Sequence, residues 1–301
     1  DVDETPILLD GPVGTMLSER GVPTPSPGWS GHAVLEAPEV LASIHEAYRD
    51  AGAMIHTANT FRTTARIFDD WIERTSLAVE IASRSGTVAG SIAPIEDCYR
   101  PDLSPARRDP VGTTRAFREF AAVLADAGAD LLLCETFPCV DEALLALDAA
   151  LGTSLPVWVS LTTGYRGDLM TAADVATGAR RLADAGAAAV LVNCAPLATI
   201  PDLLDALKGC GVPFGAYANS GDPNAYVGWT GGIDASDAYA EACLDWVRAG
   251  ASIVGGCCGT TPAHIRKVAS RLHPSGIRPD DHSDSGAVPG APKGTGRTAS
   301  P

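Results

Sequence analysis

The stretch Asp184-Ala185-Gly186-Ala187, followed at once by the apolar run Ala189-Val190-Leu191-Val192-Asn193, closes a helical segment and opens a strand. The same junction recurs as Asp50-Ala51-Gly52-Ala53, Asp126-Ala127-Gly128-Ala129 and Arg248-Ala249-Gly250-Ala251. In each, the glycine supplies the left-handed residue that a tight helix-to-strand turn needs. Working outward from these junctions, eight short apolar runs read as strands, at residues 7–10, 54–58, 88–92, 130–135, 157–161, 189–193, 214–217 and 252–256. Each is followed by a segment of helical period, among them residues 113–127, 172–185, 236–249 and 262–272. Strict alternation of eight strands with helices predicts an α/β protein, a single-domain (β/α)8 TIM barrel, over an open doubly wound sheet. No G-x-G-x-x-G follows a strand, which removes the main support for a dinucleotide-binding fold.

The chain has 301 residues, of which 46% are hydrophobic, enough for a large core. Its 37 acidic against 22 basic residues leave a net charge of −15, which repels phosphate backbones and anionic lipid. Nucleic acid and membrane are therefore poor partners, and small molecules are the expected ones. No apolar run has the length of a membrane span. The first residues, Asp1-Val2-Asp3-Glu4, are acidic where a signal peptide is basic, and the eight cysteines lack the dense spacing of a secreted scaffold. The expected location is the cytoplasm. Residues 273–301 hold five Pro, five Gly and only Ile277 and Val288 as large apolar residues. The division expected is a catalytic barrel over residues 1–272 and a disordered tail over 273–301. The long loops after the third and seventh strands, residues 96–112 and 219–234, fall on the C-terminal face, where barrel pockets form. They carry Tyr99, Tyr226 and Trp229, whose π faces are candidates for caging a methyl cation.

The chemistry is concentrated in Gly255-Gly256-Cys257-Cys258-Gly259, immediately after the eighth strand, and in Val192-Asn193-Cys194 at the end of the sixth. In a barrel these strands are separated by one other, so three thiols meet at the catalytic rim. Three soft thiolates with one open position make a catalytic rather than a structural zinc site. The paired glycines are read as letting the backbone bend so that two adjacent cysteines face one metal. A vicinal redox disulfide between Cys257 and Cys258 is the rival; it is strained and leaves Cys194 without a role.

These segments, with Asp10-Gly11-Pro12-Val13-Gly14-Thr15, Asn59-Thr60-Phe61 and Glu135-Thr136-Phe137-Pro138, closely resemble the homocysteine S-methyltransferase family from about residue 5 to 272. The resemblance implies a (β/α)8 barrel in which Cys194, Cys257 and Cys258 bind Zn²⁺ and a substrate thiol becomes the fourth ligand. It implies transfer of a methyl group from a sulfonium donor (S-methylmethionine or S-adenosylmethionine) or an ammonium donor to homocysteine, giving methionine. Glu135-Thr136-Phe137-Pro138 and Cys98-Tyr99-Arg100-Pro101 look closer to the S-methylmethionine branch than to the betaine branch. Asp10 and Glu135 are assigned to the substrate ammonium, one from each side. The backbone N–H groups of the turn carrying Gly11, Gly14 and Thr15 suit a carboxylate, although Pro12, where the family most often has a second Gly, removes one donor. Asn59, Thr60, Asn193 and Asn219 are placed beside the substrate, with helix capping as the rival role for Asn59 and Thr60. His56 lies near the site, and His264 reads as a first-turn helix residue. The alternatives are a family enzyme acting on another methylated small molecule or thiol acceptor, a thiol-redox protein, and a non-catalytic zinc-binding barrel. The oligomeric state is not legible.

Overall fold

The computed structural model describes residues 5–220, 235–272 and 288–290. Its strands are β1 (Ile7–Leu8), β2 (Ile55–Thr57), β3 (Thr87–Ile92), β4 (Leu131–Phe137), β5 (Val157–Leu161), β6 (Ala189–Pro196), β7 (Phe214–Asn219) and β8 (Ile253–Gly256). All neighbours pair in parallel, in the order β1-β8-β7-β6-β5-β4-β3-β2. The seam between β1 and β2 is closed by a parallel bridge of Leu9 to Ile55, with Met54 N–H donating to the Leu8 carbonyl at 2.8 Å and Asp10 N–H to that of Ile55 at 3.1 Å. The eight predicted strands are therefore the eight strands of a (β/α)8 barrel.

The α-helices are α1 (Val13–Glu19), α2 (Ala33–Glu36), α3 (Pro38–Asp50), α4 (Trp71–Ser83), α5 (Pro110–Asp126), α6 (Val140–Leu151), α7 (Ala172–Asp184), α8 (Ile200–Leu207), α9 (Ala235–Arg248) and α10 (Pro262–Leu272). The first connection departs from one helix per strand, since α1, α2 and α3 all lie between β1 and β2. Helix α5 starts three residues before the expected Thr113. Asp109 caps it by accepting from Gly112 N–H at 2.9 Å, and Pro110 occupies the first turn, where its missing N–H costs nothing.

The four repeated junctions share one geometry. Gly52, Gly128, Gly186 and Gly250 have φ between 96° and 108°. The alanine after each donates back five residues, Ala53 to Tyr48, Ala129 to Leu124, Ala187 to Leu182 and Ala251 to Trp246, at 3.0–3.1 Å. This double-bonded close satisfies the last helical carbonyls and turns the chain directly into the next strand.

Alternation within the strands sorts two cores. Leu9, Ile55, Leu131, Leu133, Trp158, Leu191, Tyr217 and Ile253 fill the barrel interior, while Leu132, Val159, Val190, Val192 and Val254 pack outward against the helices. At the N-terminal end of the barrel, Val288–Gly290 sits against this interior. Trp158 Nε1 donates to the Pro289 carbonyl at 3.2 Å, and Val288 packs on the inner cluster. Gly290 has φ 88°, and a Cβ there would lie 2.7 Å from the Ala188 Cβ, so a larger residue does not fit without displacement. The rest of the expected tail lies outside the described residues. None of the helices described is long and apolar enough to cross a membrane.

Candidate active site

The C-terminal ends of the strands carry the polar residues. Cys194 lies in β6, where a register shift between Asn193 and Pro196 marks a bulge, and Cys194 itself has φ 53°. In a regular strand it would follow Val192 outward; the bulge and left-handed backbone re-aim it. Cys257 and Cys258 follow β8. Cys257 N–H donates to the Ala218 carbonyl, and Ser220 N–H to that of Cys258, both at 2.9 Å, which fastens the cysteine pair to the end of β7. The two preceding glycines answer crowding. A Cβ at Gly255 would lie 2.6 Å from the Leu9 Cβ, and one at Gly256 would run into Thr260. The left-handed φ falls instead on Gly259, at 78°.

The three sulfurs lie within 4.8 Å of one another, with Cys194 and Cys258 3.9 Å apart. Ligands about 2.3 Å from a tetrahedral metal stand about 3.8 Å from each other, so the set fits a soft divalent ion. Hydrogen bonding from the neighbouring Cys257 and Cys258 thiols, with Tyr99 adding to the effect, pulls the Cys194 pKa well below the usual thiol value. The same sharing pushes Cys257 and Cys258 up. The Tyr99 hydroxyl stands 2.8 Å from Cys194 Sγ.

Beside the thiols are two buried acids. Glu135, in β4, accepts from Ser91 Oγ at 2.5 Å and from the Tyr217 hydroxyl at 2.9 Å. Burial raises its pKa to about 7 against these donors, and the nearby Cys194 charge adds to the rise. Asp10, just past β1, accepts from Thr57 N–H at 2.9 Å and from Thr57 Oγ1 at 3.0 Å. Burial raises it well above the usual carboxylate range, and Glu135 pushes it the same way. A cation beside these two buried acids would favour their ionised forms. A second set of ligand types, Asp10, His45 and His56, also lies within 4.8 Å. His45 is fully buried with neither ring nitrogen hydrogen-bonded, and burial lowers its pKa to about 4.

The other expected residues divide by what their polar groups already touch. Asn59 accepts from Ser30 Oγ at 2.7 Å and donates to the Ser30 carbonyl at 2.8 Å, while the Thr60 hydroxyl donates to the Ser91 carbonyl at 2.8 Å. Asn193 is fully buried; its amide joins Thr136 and Ser160. Asn219 is buried with neither amide atom hydrogen-bonded. Thr15 accepts from Gly259 N–H at 3.3 Å, tying the first turn to the cysteine loop. Gly11 is where Tyr48 crosses, since a Cβ there would lie 2.6 Å from its hydroxyl; a Cβ at Gly14 would make only an ordinary contact with the Ser30 Cβ, at 3.8 Å. His264 partners Thr261 and Ser220 at the start of α10, as its reading predicts. Tyr226 and Trp229 lie outside the described residues.

Ser91, Tyr217 and Thr57, which hold the two acids, escaped the sequence reading, as did the contact of Tyr99 with Cys194. Period-2 alternation does point Tyr217 and Thr57 inward, but only barrel closure brings β7 to β4 and β2 to β1.

Fold and site together define a barrel enzyme whose mouth carries three clustered thiols able to hold a metal, beside two buried acids. The chain belongs to the homocysteine S-methyltransferase family, which it matches over residues 7–272. It is 32% identical to the homocysteine S-methyltransferase of Escherichia coli, over 88% of this chain and 94% of that one. It is 30% identical to homocysteine S-methyltransferase YbgG of Bacillus subtilis, over 88% and 93%. In three dimensions it superposes on the metallated form of the homocysteine methyltransferase MmuM from Escherichia coli with a TM-score of 0.74, at 26% identity over 89% of this chain and 97% of that one.

Proposed function

We propose that this chain carries out zinc-dependent transfer of a methyl group from a sulfonium donor, S-methylmethionine or S-adenosylmethionine, to the thiol of homocysteine, giving methionine. The observation that carries this reading is the convergence of Cys194, Cys257 and Cys258 within 4.8 Å beside the buried Glu135–Tyr217 pair. Zinc, when bound by these three sulfurs, lowers the pKa of an added thiol so that it reacts as thiolate. Three cysteine thiolates leave that centre with a net negative charge, which keeps the substrate sulfur electron-rich. Glu135 and Asp10 receive the substrate ammonium, and a cation beside them offsets the burial that raises both. Ser91 and Tyr217 fix the Glu135 carboxylate so that this contact forms in one orientation. Attack of a thiolate on a sulfonium methyl forms the new C–S bond as the donor's C–S bond breaks, and the donor sulfur leaves with the electron pair. Opposite charges are annihilated in this step, so a site that excludes water favours it. A reducing compartment such as the cytoplasm keeps the three thiols available.

The test is a titration of the Co²⁺-loaded chain with homocysteine, followed by a donor screen that reads methionine by mass spectrometry. A change in the cobalt spectrum on adding homocysteine, and methionine formed with a sulfonium donor, are expected. An unchanged spectrum overturns the catalytic reading, and methionine formed only with an ammonium donor overturns the choice of donor.

A further inference from the structure

Methyl transfer to a fourth sulfur raises a question of selectivity. With substrate in place, the site holds four thiolates, and each is a nucleophile toward the same sulfonium. Methylation of a cysteine would turn a charged ligand into a neutral thioether and disable the centre. Cys194, within 4.8 Å of the other two sulfurs, shares this risk.

The structure puts one hydroxyl on that sulfur. Tyr99 Oη lies 2.8 Å from Cys194 Sγ, and among the described residues it is the one hydroxyl hydrogen-bonded to any of the three site sulfurs. The loop after β3 is built to hold it there. Tyr99 N–H donates to Asp97 Oδ1 at 2.8 Å, and the neighbouring Cys98 is buried. The ring meets Tyr165 edge to face, with centroids 5.2 Å apart and planes at 79°. Tyr165 belongs to the loop after β5, so two loops from different strands clamp one ring. The sequence reading gave Tyr99 a place in a cage for the methyl cation; the hydroxyl supports a different role.

We propose that Tyr99 is a positioning residue whose hydroxyl, by donating to Cys194, takes that sulfur out of competition as a methyl acceptor. The proposal rests on the methyl-transfer reading above. A hydrogen bond to a thiolate occupies a lone pair and withdraws charge, and thiolate nucleophilicity falls as basicity falls. A substrate sulfur without such a donor is then a stronger nucleophile than Cys194.

The test uses the full chain, wild type and Tyr99→Phe, reacted with iodoacetamide without homocysteine or methyl donor. The thiolate attacks the methylene carbon, a C–S bond forms, and iodide leaves with the C–I electron pair. Peptide mass spectrometry reads the modification rates of Cys194, Cys257 and Cys258 in the zinc-loaded chain, where all three sulfurs are held as thiolates. Loss of the hydroxyl is expected to raise the Cys194-to-Cys258 rate ratio on the order of tenfold. An unchanged ratio overturns the proposal, and so does an equal rise at all three sulfurs, the mark of a loop that only shields the site. Tyr165→Ala, which removes the ring contact and leaves the hydroxyl, supplies that shielding control. Because no substrate is present, this outcome stands apart from that of the donor screen.

Discussion

Asn193 Nδ2 donates to Thr136 Oγ1 at 2.8 Å and joins the two irregular strands of the site. Both strands carry a register shift, and each has one non-glycine residue in the left-handed region, Thr136 at φ 64° and Cys194 at φ 53°. Asn193 Oδ1 also accepts from Thr136 N–H at 3.2 Å and Ser160 Oγ at 2.8 Å. Strained backbone persists where its surroundings over-determine it, and this amide is the group that does so here. Asn193→Ala leaves these buried partners unsatisfied and is expected to destabilise the chain by about 3 kcal/mol. Urea unfolding measures this; a loss under about 1 kcal/mol contradicts the bracing role.

The acid at the site has a defined pH signature. Glu135 ordinarily titrates near 4.5, and burial raises it to about 7 in the folded chain. Its folded pKa lies above its unfolded one, so the native state binds more protons between these values. Its contribution to stability is full below about 4.5 and is lost as pH rises through about 7. Unfolding of wild type and Glu135→Gln, compared from pH 5 to 8, should show the difference shifting in favour of the variant as pH rises. A constant difference contradicts the raised pKa. The same variant should raise the KM for homocysteine roughly 10- to 100-fold, the loss of a charged hydrogen bond to the ammonium.

Removal of one thiol tests the metal centre. Cys258→Ser keeps the size of the side chain and withdraws a soft ligand. Bound zinc, read by elemental analysis, should fall from about one equivalent to a small fraction, with loss of methyl transfer. Full zinc in this variant would show that the metal sits elsewhere. Cys243, buried between barrel and helices, is the control: Cys243→Ala should leave zinc content unchanged.

The lower end of the barrel makes a prediction independent of chemistry. Gly290→Val places a side chain against Ala188 at a left-handed position, and it should release Val288–Gly290 from Trp158. Loss of that hydrogen bond and of the Val288 contact costs about 1–2 kcal/mol, or a few degrees in Tm for a chain of this size. The effect should shrink in a Trp158→Phe background, which already lacks the donor. Full additivity of the two variants contradicts the docking.

The sequence by itself determined the barrel and singled out the three cysteines that converge at its mouth. Repeated Asp-Ala-Gly-Ala junctions and apolar runs of strand length are local signals, and local backbone preferences place both. Adjacent cysteines after a strand are equally local. Three things came only from the tertiary structure. The acid clamp needs Ser91, Glu135 and Tyr217, which are 44 and 82 residues apart and meet only when the sheet closes. Asn193, read as a substrate contact, has its amide joined to Thr136 and Ser160, because the bulges in β4 and β6 bring those partners within reach. Tyr99 meets Cys194 across 95 residues, in a loop whose path has no periodic signal. Hydrogen bonds between distant side chains depend on positions set to a fraction of an ångström, and periodicity and spacing carry no such information.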